Sequence, residues 1–155
     1  LEAQQAGLSW ITVLKRREAY RKAFFNFDIR KVSVMSDQDI DTLLQHPSAG
    51  VIRHRGKLLA IRDNAIAALI LQKEHGSLSD FLWSFVGGKP HIHQVASYKE
   101  AATTTAESDA LAKALKKKGF KFLGSTSLYA FQQSVGMVND HEVSCFRYRE
   151  LLSPE

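Results

Sequence analysis

This sequence has a single cysteine, three prolines and no long apolar run. One cysteine, Cys145, excludes an internal disulfide framework and fits a reducing compartment such as the cytoplasm. No stretch is long and apolar enough to span a bilayer, and no secretory signal is visible at the start. The period-2 alternation of strands, internal repeats and low-complexity segments are missing as well. We therefore expect a helical protein of a reducing compartment.

The composition that remains is typical of one globular domain with a basic surface. The chain has 155 residues, is 45% hydrophobic and carries a formal net charge of +5. Its length predicts a single domain over residues 1–155. Basic charge favours a polyanionic partner such as a nucleic acid, although many basic proteins bind none. Nothing in the sequence indicates an obligate protein partner, so we expect a monomer.

Hydrophobic periodicity and capping residues predict a string of helices, and the predicted fold class is all-α. Ser36 with Asp39 resembles a capping box, and Gly76, Gly119 and Gly136 each follow a helical stretch. The predicted helices cover residues 1–24, 36–46, 57–75, 77–86, 108–118 and 125–135, with a long loop at 87–105 and a last helical stretch within 137–155. The first helix begins without a capping residue, which predicts a longer natural N-terminus.

The segment "ALKKKGFKFLGSTSLYAF" predicts a tight hairpin between two helices. One helix, capped by Ser108, ends at Gly119, and the next begins at Ser125 or Thr126, just after Gly124. Glycines let such a turn adopt positive φ and approach a partner closely, and the second helix offers unpaired N–H groups as an anion site. Four lysines surround the turn: Lys116, Lys117, Lys118 and Lys121. The pattern favours a nucleic-acid phosphate, and an ordinary hairpin with a solvated lysine face is the alternative.

The segment "HEVSC" places His141 and Cys145 one helical turn apart, with both side chains on one face. Imidazole and thiolate are good zinc ligands, but a structural zinc site takes four ligands. A surface histidine beside a buried cysteine is the alternative. We interpret His91 and His93 in "HIH" as loop histidines, because nothing nearby completes a site. No "HExxH" motif or carboxylate cluster supports a metal-dependent hydrolase.

The predicted hairpin resembles that of the helix-hairpin-helix DNA glycosylases, whose Gly–hydrophobic–Gly turns grip the DNA backbone through main-chain amides. That superfamily commonly has a catalytic aspartate in a "V-D-x-H"-like segment after the second helix. The segment here is "VNDH", with Asn139 at the place of the aspartate and Asp140 one residue later. The resemblance therefore does not carry over the general mechanism of the superfamily.

Longer segments resemble one family within it, 3-methyladenine DNA glycosylase I, the constitutive bacterial type. They are "LEAQQAGLSWITVLKRREAYRKAF", "VIRHRGKLLAIRDNA", "FLWSFV" and "SDALAKALKKKGFKFLGSTSLYAFQQSVGMVNDH". The order of "QQAGLSW", "IRHRGK" and "GFKF" is specific, and the resemblance covers nearly the whole chain. It implies a helix-hairpin-helix helical domain and a monofunctional enzyme of base-excision repair. Such an enzyme flips 3-methyladenine out of double-stranded alkylated DNA and hydrolyses its N-glycosidic bond.

The resemblance also assigns residues to the base pocket. Glu2 matches the pocket carboxylate, the catalytic and base-binding residue, which accepts an exocyclic N–H and favours a cationic base over a neutral one. Trp10 matches the stacking aromatic residue. Tyr129 and Ala130 fall near the place where the family lines its pocket. Without the resemblance, Glu2 would be a solvated acid and Trp10 a core residue, although Trp83 is the better core candidate. We expect Glu2 and Trp10 on the same side of one helix.

A second set of residues is assigned to DNA. Gln5, Gly7 and Leu8 lie where the family inserts into the duplex, and Leu8 is the candidate apolar wedge. Core packing of Leu8 is the alternative. The hairpin supplies further contacts to the DNA backbone: Lys118, Gly119, Lys121, Gly124 and Ser125. For the basic loop "IRHRGK", with Arg53, His54, Arg55 and Lys57, the resemblance implies charges that are structural as well as facing DNA, and a solvated connector is the alternative.

His141 and Cys145 match the C-terminal half of a structural zinc site in this family. The other two ligands, a cysteine and a histidine, belong to the stretch that normally precedes Leu1. The implied zinc ties the two ends of the chain together and does not activate water. Because two ligands cannot complete a tetrahedral site, we expect weak zinc binding by the chain as given.

A non-catalytic helix-hairpin-helix module that binds DNA is the second hypothesis. It would need phosphate contacts only, and its binding would weaken steeply with salt. Release of 3-methyladenine separates the enzyme from the binding module.

Overall fold

The structure, a computed structural model, describes residues 1–152, and helices dominate it. These residues form nine α-helices: α1 Trp10–Leu14, α2 Arg17–Ala23, α3 Ile29–Ser33, α4 Asp37–Gln45, α5 Arg55–His75, α6 Leu78–Ser84, α7 Ala106–Lys117, α8 Ser125–Ser134 and α9 Phe146–Glu150. Single 3₁₀ turns lie at Glu2–Gln4, Phe25–Phe27, Pro47–Ala49 and Tyr98–Glu100. The all-α prediction is confirmed. The end of the predicted last helical stretch, residues 153–155, lies outside the described residues.

Two very short strands are the exception to the helical fold, and neither was predicted. β1 (His91–Ile92) and β2 (Val138–Asn139) pair in parallel, with His91 opposite Val138. β1 lies in the segment predicted as a long loop. Strands of two residues are too short for the alternation by which strands are recognised in a sequence.

The chain forms two compact units. The first contains Leu1–Leu78 and Ala114–Leu123, and the second contains Ser79–Lys113 and Gly124–Glu155. The single domain expected from the chain length stays a prediction beside this division. No helix among residues 1–152 has both the length and the apolar character needed to cross a membrane.

The long helix α5 is the scaffold of the first unit, where it contacts α3, α4 and the turn Glu2–Gln4. It begins at Arg55, two residues earlier than predicted, because His54 caps it by accepting a hydrogen bond from the amide of Lys57 at 3.1 Å. It ends at Gly76, as predicted, with φ +78°. The core beside it contains Tyr20, Phe24, Val32, Met35, Ile40, Val51, Leu58 and Ala65.

The second unit has a smaller core around α8 and β2. Tyr129, Met137 and Val138 are buried there together with Val86. Leu82, Trp83 and Phe131 are partly buried and pack against this cluster, so Trp83 lies at the edge of the core.

The prediction of one helix over residues 1–24 is wrong. The 3₁₀ turn Glu2–Gln4 is followed by Gly7 at φ +73° and by the extended residue Ser9, which precedes α1. Glycine adopts positive φ without the steric cost that other residues meet, so the chain turns there. The apolar periodicity in this segment does not mark a buried helix face, since Ile11 is 54% and Leu14 40% exposed.

The predicted cap of α7 is also wrong, whereas the predicted capping box of α4 and the predicted start of α8 are confirmed. Ser36 and Asp39 form the capping box of α4. α7 begins before Ser108, because Thr105 and Ser108 exchange hydrogen bonds at 2.8 and 3.2 Å in the same reciprocal pattern. Ser125 is the first residue of α8, and its N-cap is Gly124. The helix α3, which Asp28 caps through the amides of residues 30 and 31, was not predicted at all.

Candidate functional site

Glu2 and Trp10 lie on separate elements of the first unit. Glu2 is partly buried in the turn Glu2–Gln4, and burial raises the pKa of its carboxyl above the usual value. Trp10 is the first residue of α1 and is 37% exposed. The expectation that one helix carries both is therefore wrong, because Gly7 and Ser9 interrupt it. A partly desolvated carboxylate and an accessible indole are groups that suit a cationic, flat ligand.

Leu8 follows the turn at Gly7 and is accessible. Its side chain is 38% exposed, and its amide donates to the carbonyl of Gln5 at 2.6 Å. An apolar side chain packed in a core is covered, as Val13 is at 0% exposure in the next helix. The core-packing alternative for Leu8 thus has no support, and insertion into a duplex stays a prediction.

The main chain beside these residues is held by a buried network that sequence reasoning missed. Gln4 is 1% exposed and its Nε2 donates to the carbonyl of Lys57 at 2.9 Å. Its Oε1 accepts a hydrogen bond from the hydroxyl of Tyr20 at 3.1 Å, which in turn accepts one from the amide of Ile52 at 3.2 Å. In the sequence, Gln4 appeared only as an uncharged amide within a segment assigned to the base pocket and to DNA.

The basic loop "IRHRGK" is engaged within the protein. Arg55 donates to Asp41 at 2.7 Å and to Asp37 at 3.1 Å. The other three basic side chains also have partners: Arg53 donates to the carbonyl of Leu44 at 3.1 Å, His54 caps α5, and Lys57 donates to two carbonyl oxygens. Of the two roles expected for these charges, the structure thus supports the structural one.

The predicted turn after α7 is present, and Gly119 makes it possible. Gly119 has φ +91°. Its amide donates to the carbonyl of Lys116 at 3.1 Å and the amide of Phe120 to that of Leu115 at 3.0 Å, the pair of bonds that ends a helix in a Schellman motif. Phe122 also has positive φ, at +57°, which is unusual for a bulky residue.

The hairpin lysines assigned to DNA are paired with acids of α5. Lys118 forms an ion pair with Glu74, and Nζ of Lys121 lies 2.6 Å from Asp63. These pairs are partly exposed, and such pairs contribute only about 0–1 kcal/mol, so a phosphate could replace the acid. Asn64 holds the same loop by its main chain, accepting from the amide of Lys121 at 2.7 Å and donating to its carbonyl at 3.1 Å.

The start of α8 belongs to the second unit. Gly124 is extended and provides no side-chain cap, so a main-chain anion contact at this end is not blocked by a capping side chain. The hydroxyls of Ser125 and Ser108 lie 2.7 Å apart. These contacts place Ser125 at the helix N-terminus, as the DNA-binding assignment requires.

Asp140 is the centre of a hydrogen-bond cluster in the second unit. Its Oδ2 accepts from the hydroxyl of Tyr129 at 2.5 Å and from Nε2 of Gln133 at 2.7 Å, and its Oδ1 lies 2.6 Å from Nδ1 of His93. Burial alone would raise the pKa of Asp140, but these bonds outweigh it and lower the pKa. Burial and the bond to Asp140 raise the pKa of Tyr129.

Of the two α8 residues assigned to the base pocket, Tyr129 belongs to this cluster and Ala130 does not. Tyr129 is only 1% exposed and its hydroxyl is committed to Asp140. Ala130, next along α8, is exposed. We interpreted His93 as a loop histidine, and nothing in "HIH" indicates that its partner is Asp140, 47 residues away.

His141 and Cys145 are brought together by a turn that precedes α9, and the expectation of a helical turn is wrong. Nδ1 of His141 lies 3.9 Å from Sγ of Cys145. Zinc–nitrogen and zinc–sulfur bonds of about 2.1 and 2.3 Å place two tetrahedral ligands roughly 3.6 Å apart. The pair therefore fits two positions of a zinc site. Within residues 1–152 no group of three or more His, Cys, Asp or Glu side chains could hold a metal ion.

An apolar cavity of about 190 Å³ lies in the first unit. Its lining consists of Leu1, Ala3, Gln4, Phe27, Ile29, Val32, Ile61, Asn64, Ala65 and Ala68. The amides of Gln4 and Asn64 are already hydrogen-bonded to protein groups. Neither Glu2 nor Trp10 lines this cavity, so it is not the predicted base pocket.

Comparison with known proteins gives one consistent result. The family model described as methyladenine glycosylase matches residues 1–148. The chain is 53% identical to DNA-3-methyladenine glycosylase 1 of Escherichia coli (strain K12), over 96% of this chain and 78% of that protein. It is also 53% identical to DNA-3-methyladenine glycosylase of Haemophilus influenzae, over 94% and 77%.

A solved structure shows the same similarity in three dimensions. A tyrosine-to-phenylalanine variant of 3-methyladenine DNA glycosylase I, in complex with 3-methyladenine, is 41% identical and superposes with a TM-score of 0.89. The match covers 94% of this chain and 77% of that one.

Proposed function

This chain belongs to the methyladenine glycosylase family, and from that premise we propose that it releases 3-methyladenine from alkylated DNA by hydrolysing the N-glycosidic bond. The observation that carries the proposal to particular residues is the segment at residues 2–10, where a partly buried carboxylate, Glu2, accompanies the accessible side chains of Leu8 and Trp10. Family membership favours an enzyme over the non-catalytic binding module.

The reaction depends more on selecting the methylated base than on activating the bond to the sugar. Methylation at N3 leaves the adenine cationic, so the bond to the sugar is weak and the base departs neutral. Little acid catalysis is needed, and the transition state is an oxocarbenium-like sugar that water attacks. The base must first leave the helical stack, which costs a few kcal/mol and is easier for a damaged base.

Glu2 and Trp10 provide the selection in this proposal. The carboxylate of Glu2 accepts the exocyclic N–H and attracts the positive base, and partial burial strengthens that attraction because water screens it less. The indole of Trp10 stacks on the electron-poor ring, a contact improved by cation–π attraction. Leu8 enters the duplex and fills the space left by the flipped nucleotide. Tyr129 and Ala130 remain proposed contributors to the pocket.

Double-stranded DNA is the proposed partner, and the hairpin is its backbone contact. The positive φ of Gly119 and the uncapped start of α8 support a helix-hairpin-helix contact through main-chain amides. The proposal assigns further DNA contacts to Gln5, Gly124 and Ser125. Lys118 and Lys121 would join them once a phosphate replaces their acidic partners. We place the enzyme as a monomer in the bacterial cytoplasm, where it would meet chromosomal DNA.

A structural zinc ion is proposed at His141 and Cys145, supported by their donor types and their separation of 3.9 Å. Zinc would act there as a cross-link, since neither residue belongs to the segment that selects the base. Metal content and thermal stability of His141→Ala and Cys145→Ser, each beside the parent, test this part. Zinc bound by the parent and retained to the same extent by both variants would contradict it.

The test of the proposed function is release of free 3-methyladenine from methylated duplex DNA by the parent and by Glu2→Gln. Release by the parent that Glu2→Gln reduces at least about a hundredfold, with folding unchanged, is the expected result. Unchanged release by Glu2→Gln would remove Glu2 from the mechanism. Duplex binding without release by the parent would instead support the binding module.

A further inference from the structure

Lys57 is a buried lysine whose partners lie in the segment that carries Glu2 and Leu8. It is 5% exposed. Its Nζ donates to the main-chain carbonyl oxygens of Gln4 at 2.8 Å and of Ala6 at 2.6 Å. Lysine is seldom buried unless its charge is compensated, because removing an ammonium group from water is costly. Two carbonyl oxygens at short range supply that compensation here.

The hold on this segment is reciprocal. Gln4 donates from Nε2 to the carbonyl of Lys57 at 2.9 Å, while Lys57 donates to the carbonyl of Gln4, across 53 residues of sequence. The hydroxyl of Tyr20 in α2 donates to the other end of the Gln4 amide. The main chain before Gly7 is thus fixed to α5 and, through Gln4, to α2.

What this anchoring controls is the reach of Leu8. Consecutive Cα atoms are about 3.8 Å apart, so Leu8, two residues beyond Ala6, can lie at most about 7.6 Å from the anchored position. Gly7 turns the chain in that interval, with φ +73°. The carbonyl oxygens of Gln4 and Ala6 both accept hydrogen bonds from the ammonium of Lys57, so the main chain is held on either side of Gln5.

We propose that Lys57 is a positioning residue for base excision: its ammonium fixes the main chain at residues 4–6 and thereby sets the placement of Glu2 and the reach of Leu8. The proposal rests on the proposed function, which gives Glu2 and Leu8 their work on DNA. Lys57 itself contacts neither the base nor the duplex. It acts through the loop, which makes it distinct from the exposed hairpin lysines.

The experiment compares Lys57→Met, Lys57→Arg and the control Lys73→Met with the parent. Methionine keeps much of the length of lysine and loses its charge and donors, and Lys73 is an exposed lysine on the same helix. Three quantities are measured at a temperature where circular dichroism shows every variant folded. They are the single-turnover rate of 3-methyladenine release, the affinity for undamaged duplex, and the amide hydrogen exchange of residues 5–8.

For Lys57→Met we expect a rate at least about tenfold lower, since small misplacements of a site are costly. Exchange at residues 5–8 should be faster and duplex affinity should stay within about twofold, because phosphate contacts made elsewhere dominate it. Lys57→Arg keeps charge and donors and should recover part of the rate. Lys73→Met should match the parent in all three quantities.

A folded Lys57→Met with the parental rate would overturn the proposal, as would a lower rate with unchanged exchange at residues 5–8. If Lys57→Met does not fold, Lys57→Gln, which keeps two N–H donors without the charge, replaces it under the same criteria. A parent that releases no base refutes the proposed function. Exchange at residues 5–8 still tests the anchoring in that case, because it requires neither DNA nor catalysis.

Discussion

At the scale of single residues, the role proposed for Glu2 requires charge in a place where burial disfavours charge. Burial raises the pKa of its carboxyl above 4.5. Release of 3-methyladenine should therefore fall as the pH drops through this raised pKa, because the protonated acid no longer attracts a cationic base. Glu2→Gln should show low activity without that acid limb. The pH profile of kcat/KM for parent and variant checks this.

The same shift predicts the opposite effect on stability. A raised pKa means that the folded protein binds this proton more tightly than the unfolded chain, so the stability from protonated Glu2 is present below pH 4.5 and lost as the pH rises through the folded-state pKa. Glu2→Gln should therefore raise Tm at neutral pH, with no gain below pH 4.5. Glu18→Gln, at an exposed acid of α2, is the control. A lower Tm of Glu2→Gln at neutral pH would contradict the argument.

Leu8 offers a second residue-scale prediction, because its exposure separates DNA insertion from core packing. Removing a buried leucine costs about 2–5 kcal/mol, and an exposed one far less. Leu8→Ala should keep the parental Tm and lower the single-turnover rate of base release. Leu58→Ala, at 0% exposure in α5, should lower the Tm clearly. Equal destabilisation of the two variants would assign Leu8 to the core.

At the scale of elements, the proposed function makes the acids of α5 competitors of DNA for the hairpin lysines. Asp63 holds Nζ of Lys121 at 2.6 Å. Asp63→Asn should free this charge, so undamaged duplex should bind more tightly and the slope of log K against log salt should steepen by up to about 0.9. Asp109→Asn removes the same charge from an exposed position on α7. Equal effects of the two variants, measured by salt titration, would show that Lys121 does not face DNA.

Which elements the sequence predicts depends on how local their causes are. The start of α4 was predictable because Ser36 and Asp39 lie one turn apart and bond each other. The turn at Gly119 was predictable because glycine favours the conformation it adopts. The prediction of one helix over residues 1–24 was wrong because the apolar periodicity continues across the break at Gly7. Ile11 and Leu14, which belong to that periodicity, are exposed.

The candidate site also contains features that the sequence predicts and features that depend on distant parts of the chain. The family resemblance assigned Glu2, Trp10 and Leu8 to one segment without any structure. The partners that control charged groups could not be predicted, since Lys57 and Gln4 are 53 residues apart and Lys121 and Asp63 are 58 apart. Such pairs follow from tertiary packing alone, which is why "IRHRGK" suggested more charge for DNA than the structure leaves free.

At the scale of the whole molecule, the final question is whether the enzyme also cuts the strand. A glycosylase that cuts needs an amine to attack C1′ and form an imine, which borohydride reduces to a stable adduct. No lysine lies between Ser125 and Asp140, and the amine of Lys57 is bound to carbonyl oxygens. Water is then the nucleophile, and the products are free base and an intact strand with an abasic site.

We therefore expect release of 3-methyladenine without nicking and without a borohydride-stable adduct. Alkali added afterwards should break the strand at as many sites as bases were released, because abasic sites are labile to base. A bifunctional glycosylase, assayed in parallel, verifies that trapping works. A stable adduct formed by this chain would contradict the prediction, and its loss in Lys57→Met would identify that amine as the nucleophile and refute the positioning role as well.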